Sequence, residues 1–356
     1  NVWAQFASYP EHLLRDADPA TIHNNEFWEK PIGTGPYYVS EVVWNDYAIL
    51  ERFEDFYGTK PQIQRIKMSN ISDTIVACMA GEVDYFSTNS ADTLSQVAQI
   101  DGYEIYPVDI FYMRYFIFNT NPPEGENAKV SDVRIRKALM YALDREAIVS
   151  SLFPSATLTD TFVPSGMEDY WGDAEHYEYN PELAKQLLEE AGFDFSQTIK
   201  LRYYYDDQAS INFMDVIAYY WNEIGIQVDV QAFTGDATTQ IYDVRDWDVT
   251  YKGLSAFGYE EAYGELYSSG NIMKYLVRDD AYDALVDELG ATVDPQRRSE
   301  IVTELQKLDQ EYMYRLPLYS LPNCVVVNTN RLNTTGQFGN EWYNYDRGFE
   351  HWTINN

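Results

Sequence analysis

The sequence predicts a two-lobed α/β protein. Its 356 residues are enough for two substantial lobes. The central region, residues 180–252, alternates helical and strand-like patterns, which is typical of α/β folds. Strand-rich segments lie at both ends of the chain. We therefore expect one lobe to be built from both termini and a second lobe to be inserted between them.

The first third of the chain predicts strands joined by turns and a few short helices. A short helix is expected near residues 10–15, and two more at 72–81 and 93–100. The segments 37–43 and 47–53 alternate like the two arms of a hairpin. The full set of predicted strands in this third is 37–43, 47–53, 63–69, 83–86, 103–108 and 113–119.

The segment SDVRIRKALMYALDREAIV (131–149) predicts one amphipathic helix. Its apolar residues share one face at helical spacing. These residues are Ile135, Ala138, Leu139, Ala142 and Val149. Ser131 is the expected N-cap, and Asp132 and Arg136 are spaced as an ion pair along the helix. Because the charges point in several directions, we interpret them as a solvated surface and not as a catalytic cluster.

The central elements have clear start and stop signals. Helix 180–191 begins with Asn180 and Pro181 and ends at Gly192. The strands predicted after it are 199–205, 226–233 and 247–252, with a broken strand at 316–328. The helices predicted after it are 210–224, 236–244, 280–289 and 295–313.

Composition narrows the function. Acidic residues outnumber basic ones 57 to 25, which gives a net charge of −32. Such a surface repels nucleic acid and anionic membranes, so we expect no nucleic-acid partner. Aromatic residues make up 16% of the chain, too many for a disordered protein.

Motifs for enzyme chemistry are not found. GTGPYY (33–38) lacks the third glycine of a dinucleotide loop, and GLSAFG (253–258) has the wrong spacing for a nucleophile elbow. The four histidines are scattered without metal-ligand spacing. Cys78 and Cys324 lie in apolar patterns that favour buried thiols, with a disulfide as the alternative. We expect no enzyme activity, cofactor or metal, and a ligand bound between two lobes.

Six motifs in a fixed order resemble one family. Each motif alone is weak, but together they run nearly from end to end. The chain resembles the peptide-binding, family 5 extracytoplasmic solute-binding proteins of ABC importers. The motifs are GTGPYYV (33–39), AGEVDYF (80–86), FNTNPP with SDVRIRKALMYALDREAIV (118–149), YNPELAKQLLEEAGF (179–193), NEIGIQVDV with WDV (222–249) and RLPLYS (315–320).

The resemblance implies a fold and a domain organisation. Family members have a two-lobed fold of the type II periplasmic-binding-protein kind. By that pattern, residues 1–114 are part of lobe I, 115–316 form lobe III, and 317–356 return to lobe I. Family members are longer, so we expect this chain to match their C-terminal two-thirds, with lobe I incomplete and lobe III whole.

The resemblance also implies a function. The expected protein is a monomeric substrate-binding component that captures oligopeptides between its lobes and delivers them to an ABC permease with its ATPase subunits. We expect it outside the cytoplasm, either on the outer face of the membrane through an N-terminal lipid anchor absent from this chain, or in the periplasm. A receptor for oligosaccharide or another neutral solute, or a sensor ectodomain, is the alternative.

Two loops carry the ligand residues that the resemblance implies. In peptide receptors of the family, an Asp after the WDV-type strand binds the peptide amino group, and Phe257 stands at that position here. Glu260 or Glu261 is the candidate to replace it, and otherwise the ligand has no free amine there. The full predicted set is Gly253, Leu254, Ser255, Phe257, Tyr259 and Glu260, with Tyr204, Tyr205 and Asp206 from the loop after strand 199–205.

Overall fold

The computed structural model describes residues 9–108, 110–268, 274–276, 279–336, 338 and 349–355. The chain divides into two compact units. The first unit contains the described residues up to Pro107 and those from Cys324 onward. The second unit runs from Val108 to Asn323. Each unit has its own sheets and its own apolar core.

The first unit consists of short helices and short strands. Its helices are α1 (Glu11–Leu14), α2 (Thr74–Met79) and α3 (Ala91–Val97), with 3-10 turns at Ile22–Asn24, Glu26–Glu29 and Phe349–His351. Its strands are β1 (Tyr37–Val43), β2 (Tyr47–Arg52), β3 (Arg65–Ser69), β4 (Tyr85–Thr88), β5 (Tyr103–Val108), β12 (Asn323–Asn328), β13 (Leu332–Asn333) and β14 (Thr353–Ile354).

Both ends of the chain contribute to the first unit. The strands β1, β2 and β3 form an antiparallel sheet, and the predicted hairpin is its first pair. In a second sheet the C-terminal strand β12 lies between β4 and β5. Val326 of β12 packs with Ala77 and Cys78 of α2 and with Val97 of α3. This small core holds the C-terminal segment against the N-terminal part of the chain.

The second unit contains the larger part of the helical structure. Its strands are β6 (Tyr112–Phe118), β7 (Thr157–Leu158), β8 (Thr198–Tyr203), β9 (Gln227–Ala232), β10 (Val249–Ser255) and β11 (Arg315–Ser320). Its helices are α4 (Val133–Tyr141), α5 (Arg145–Leu152), α6 (Pro181–Glu190), α7 (Gln208–Glu223), α8 (Ala237–Thr239), α9 (Tyr259–Gly264), α10 (Asp280–Ala291) and α11 (Pro295–Tyr312).

A six-stranded mixed sheet organises this unit, in the order β7-β11-β6-β10-β8-β9. β8 is parallel to both β9 and β10, whereas β6 is antiparallel to both β10 and β11. Residues along β6 alternate between two apolar cores. Phe116 and Phe118 pack with α4 to α7, and Met113, Tyr115 and Ile117 pack with α9 to α11. Helices therefore cover both faces of the sheet, as in α/β folds.

The segment 131–149 forms two helices, so the prediction of one continuous helix was wrong. Asp132 is the N-cap of α4, where Ser131 was predicted. Asp144 interrupts the helix and caps α5, accepting a hydrogen bond from the Ala147 amide at 3.0 Å. Aspartate side chains compete with the helical backbone for hydrogen bonds and favour helix starts, which explains the interruption.

Arg136 is buried and does not pair with Asp132 as predicted. Its guanidinium donates to the backbone carbonyls of Val130 at 2.8 Å and Met313 at 2.9 Å. Met313 follows the carboxyl end of α11, where a cation is favoured. Asp132 pairs instead with Arg134 at 2.6 Å. The Arg136 hydrogen bonds connect α4 to the segments next to it, which is consistent with a structural role for these charges.

The units divide at 107/108 and 323/324, whereas the sequence placed boundaries at 114/115 and 316/317. The predicted boundaries fall inside β6 and β11. These strands pair with each other from Arg315 opposite Ile117 to Ser320 opposite Met113. Because this ladder joins both strands to the second unit, the division lies outside them. The assignment of the units to the family's lobes stays a prediction.

Candidate ligand-binding site

One edge of the second unit's sheet gathers many of the predicted ligand residues. Since β8 and β10 are parallel, the loop 204–206 after β8 and the last residues of β10, 253–255, lie at the same edge. β6 runs in the opposite direction, so its first residues, 112–114, lie there too. The carboxyl ends of parallel strands are the usual ligand edge of α/β sheets.

Two adjacent tyrosines meet the end of β10. The hydroxyls of Tyr204 and Tyr205 are 3.0 Å apart, and their ring centroids are 4.4 Å apart. The Gly253 amide lies 3.4 Å from the Tyr204 hydroxyl, to which it donates. The structure thus places Tyr204, Tyr205 and Gly253, three of the predicted ligand residues, next to one another. The two tyrosines present their hydroxyl groups beside the end of β10.

Arg114 on β6 lies directly across from Gly253 on β10 and from Tyr319 on β11. Its guanidinium stacks on the ring of Tyr112, 4.5 Å from the centroid, and on that of Tyr205, at 4.4 Å. Nη2 also donates to the Tyr112 hydroxyl at 2.7 Å. Only 8% of Arg114 is exposed. We call Arg114, Tyr112, Tyr205, Tyr251 and Tyr319 the arginine–tyrosine cluster.

Tyr205, Tyr251 and Tyr319 stay neutral at physiological pH. Burial raises the pKa of Tyr251 to about 12, and burial also raises the pKa of Tyr205 and that of Tyr319. The hydroxyls of Tyr251 and Tyr319 are hydrogen-bonded to each other. The cluster therefore offers polar hydroxyl groups and one cation.

Residues 254–257 continue from the strand end into the next loop. Leu254 packs against the core on the α9–α11 side of the sheet, and Ser255 is exposed. Phe257 is 44% exposed. Its backbone amide donates to the Glu261 carboxylate at 2.8 Å. The ring at the position where the resemblance implies an acid is therefore partly exposed, and Glu261 of α9 already accepts a hydrogen bond from the loop that precedes this helix.

Tyr259 and Glu260 have other surroundings. Tyr259 is buried in the apolar core of the α9–α11 side, edge-on to Phe111 at 6.4 Å between centroids. The Glu260 carboxylate pairs with Arg298 at 2.7 Å. Tyr259 therefore packs in the core, and the Glu260 carboxylate is engaged in an ion pair.

Two neighbouring aspartates after β8 differ in their contacts. Asp207 caps α7 and accepts a hydrogen bond from the Ser210 amide at 2.9 Å. Asp206 is exposed, and within the described part of the chain its carboxylate has no hydrogen-bond or ion-pair partner. Asp206 is thus a carboxylate at this edge that remains open to a cationic group.

Sequence reasoning did not find Arg114, Tyr112, Tyr251 or Tyr319. The available signal was the cationic residue in the otherwise apolar strand YMRYFIF (112–118). A charge in such a strand indicates either a solvated face or a function.

Among the described residues, no group of three or more His, Cys, Asp or Glu side chains could hold a metal ion. In the same residues, no helix has the length and apolar character that crossing a bilayer needs.

Sequence comparison identifies relatives over much of the chain. A Brucella ovis protein, whose name proposes peptide binding for an ABC transporter, is 28% identical over 233 residues. These residues cover 62% of this chain and 42% of that protein. The oligopeptide-binding protein AppA of Bacillus subtilis is 24% identical over 88% of this chain and 61% of its own length. The chain thus spans roughly half of the length of the relatives it matches.

Structural comparison identifies the fold. The ABC transporter substrate-binding protein CtaP of Listeria monocytogenes has a TM-score of 0.85 at 22% identity, covering 97% of this chain and 71% of CtaP. The fold is accordingly the α/β fold of type II periplasmic binding proteins, as predicted.

The sequence of residues 1–271 matches the family model of the bacterial extracellular solute-binding proteins, family 5, middle region. The chain belongs to family 5 of the bacterial extracellular solute-binding proteins.

Proposed function

We propose that this protein is the substrate-binding component of an ABC importer, which captures oligopeptides and delivers them to a permease with its ATPase subunits. The observation that carries the proposal is the family match over residues 1–271. Relatives support the ligand class, because AppA of Bacillus subtilis is named for oligopeptide binding and has been solved in complex with a nonapeptide. That structure has a TM-score of 0.73 at 22% identity and covers 100% of this chain and 73% of AppA.

The proposal includes a cellular location and an oligomeric state. A substrate-binding component works outside the cytoplasm, so we place the protein in the periplasm or on the outer face of the membrane through a lipid anchor. We expect it to act as a monomer, because one chain carries both units. The strongly acidic surface keeps such a protein soluble.

The ligand edge offers groups that suit a peptide. The hydroxyls of Tyr204 and Tyr205 and the exposed Ser255 can exchange hydrogen bonds with peptide groups. Asp206 can pair with a peptide ammonium, since its carboxylate has no partner within the described residues. Glu260 and Glu261 are engaged with Arg298 and with the Phe257 amide, so Asp206 is the better candidate for amine recognition.

A neutral ligand is the second candidate, and Phe257 favours it. An exposed ring attracts an ammonium group by only about 0.5–2 kcal/mol, which is weaker than pairing with a carboxylate. Exposed aromatic rings also stack well on sugar rings. An oligosaccharide or another neutral solute would then bind at the same edge.

Calorimetric titration of the full-length protein with matched ligands tests the proposal. We expect Ala-Ala-Ala with a free amino terminus to bind about tenfold tighter than its acetylated form, because acetylation removes the charge that pairs with Asp206. Asp206→Asn should remove this preference, whereas the matched variants Glu260→Gln and Glu261→Gln should keep it. Binding of maltotriose with no binding of either peptide would replace the peptide proposal with the second candidate.

A further inference from the structure

Arg114 differs from the other buried arginines of the second unit. Three of those arginines pair with carboxylates, and the fourth donates to backbone carbonyls. The pairs are Arg145 with Asp160 at 2.5 Å, Arg202 with Asp229 at 2.7 Å and Arg315 with Asp309 at 2.9 Å, and Arg136 donates to the carbonyls of Val130, Ser131 and Met313. Each of these four guanidinium groups thus has a carboxylate or a backbone carbonyl as its acceptor, whereas Arg114 has neither among the described residues.

The guanidinium of Arg114 has free donors. Its hydrogen bond within the described part of the protein goes from Nη2 to the Tyr112 hydroxyl. Nε and Nη1 have no acceptor there, and neither atom is sealed from solvent. The titratable groups that act most strongly on Arg114 are Tyr112, Tyr205, Tyr251 and Tyr319, and among the described residues no hydrogen bond or ion pair joins its guanidinium to a carboxylate.

The cost of this arrangement calls for an anionic partner. Burying an unpaired cation is unfavourable unless a counter-charge or several acceptors replace its hydration. Two tyrosine ring faces and one hydroxyl stabilise the guanidinium, but none of these contacts is to a carboxylate. Stacked rings also fix the plane of the guanidinium, which prepares it for an acceptor with two oxygens.

The backbone around Arg114 is shaped to hold it. A Cβ atom on Gly253 would collide with the Arg114 guanidinium and with the Tyr205 hydroxyl. The glycine therefore lets the guanidinium lie flat against β10, at the edge where the proposed ligand binds. A side chain that only filled the core would need no such opening at the strand end.

We propose that Arg114 is a ligand-binding residue, which holds a carboxylate group of the transported solute with the arginine–tyrosine cluster as its frame. Carboxylate is the chemistry that matches a planar guanidinium with free Nε and Nη1 donors. On a peptide this group is the C-terminal carboxylate or an acidic side chain. The inference rests on the proposed function only in taking the sheet edge as the ligand site.

Calorimetry on the full-length protein tests this assignment with two ligand pairs. The first pair is Ala-Ala-Ala and its C-terminal amide, and the second is Ala-Glu-Ala amide and Ala-Gln-Ala amide. We expect the acid in at least one pair to bind about tenfold tighter or more, since a charge-assisted pair is lost in the other member. The pair that shows the preference identifies whether the C-terminal or the side-chain carboxylate is held.

Three variants connect the preference to Arg114. Arg114→Met should bring the affinities of acid and amide to the same value, and Arg114→Lys should keep part of the difference because lysine cannot donate in a planar fork. Arg134→Met, which removes the same charge from an exposed arginine, should leave the preference unchanged. If Arg114→Met does not fold, Arg114→Lys decides, and an unchanged ratio in that variant would overturn the assignment.

Other outcomes are equally decisive. Equal affinity within both pairs for the wild-type protein, or an equal loss for acid and amide in Arg114→Met, would overturn the assignment and leave only a packing role. Succinate, a carboxylate without peptide groups, separates this inference from the peptide proposal. If succinate binds in an Arg114-dependent way and no peptide binds, the peptide proposal fails and this one stands. If neither binds, both fail.

Discussion

Gly253 leaves space in β10 for the Arg114 guanidinium, which lies opposite it on β6. We expect Gly253→Ala to destabilise the second unit by about 1–3 kcal/mol, because an added methyl group in a filled site forces side chains from their positions. Displacing the guanidinium should also weaken ligand binding. Chemical denaturation and peptide titration measure the two effects.

Gly290 provides the matched control for this substitution. It lies in α10, is exposed, and has open space around it. Gly290→Ala should be neutral or stabilise by up to about 1 kcal/mol through helix propensity, with unchanged binding. If Gly253→Ala behaved like Gly290→Ala in both measurements, the close approach of Arg114 to β10 would be contradicted.

Candidate ligand residues came from motifs of the family resemblance. Tyr204, Tyr205 and Gly253 are among them, and the structure places these three together, while their role in ligand binding stays a prediction. Arg114 was missed because a charge in a strand usually indicates a solvent-facing side. Here helices cover both faces of the sheet, so the side chains of Arg114 and Lys252 have little solvent exposure. The sequence pattern of the strands alone does not show that the second face is covered by helices.

At the scale of single elements, two adjacent aspartates at the start of α7 are expected to have different roles, one in stability and one in ligand binding. Asp207 caps the helix, whereas the adjacent Asp206 is exposed. Asp207→Ala should lower the free energy of unfolding by about 1 kcal/mol through loss of the cap, with little effect on affinity. Asp206→Ala should leave stability within about 0.5 kcal/mol of the wild type and weaken binding of a free peptide amine.

Thermal unfolding and calorimetry of the two variants provide the measurement. The roles would be contradicted if Asp207→Ala abolished binding at unchanged stability, or if Asp206→Ala lowered stability as much as the cap variant did.

Most elements were predictable from periodicity and end signals, and the misses have local causes. α6 begins at Pro181 as the sequence indicated, because its cap and first-turn proline are strong signals. The break between α4 and α5 was missed, since the apolar spacing continues across it while Asp144 changes its role from helix surface to cap. The segment 316–328 forms two strands, β11 and β12, which belong to different sheets.

At the scale of the whole molecule, buried tyrosines predict sensitivity to alkali. Burial raises the pKa of Tyr251 from 10.0 to about 12, and it raises that of Tyr263, Tyr275 and Tyr282 as well. A raised folded-state pKa means that stability is intact below pH 10 and falls as the pH rises toward 12, because only the unfolded chain ionises there. Tyr251 alone accounts for about 3 kcal/mol over this range.

Circular dichroism and tyrosinate absorbance, followed together during alkaline titration, check this expectation. The buried tyrosines should ionise in one step with loss of structure. Tyr251→Phe should show a smaller fall in the free energy of unfolding per pH unit. Gradual ionisation of every tyrosine in a protein that keeps its structure would contradict it.

The family and fold of the whole chain were predictable because its motifs follow one another in a fixed order, and the comparisons confirm both. The lobe boundaries stay a prediction, and the pairing of β6 with β11 joins segments that are far apart in sequence. Such long-range pairing leaves little local signal.

The central claim is that solute binds at the edge formed by the ends of β8 and β10 and the start of β6. Hydrogen–deuterium exchange of the full-length protein, with and without a bound peptide, tests this most directly. We predict slower exchange on binding in the described segments 112–114, 204–206 and 253–257 of the second unit. Bound peptide with unchanged exchange in all three segments, and protection only elsewhere, would contradict the account.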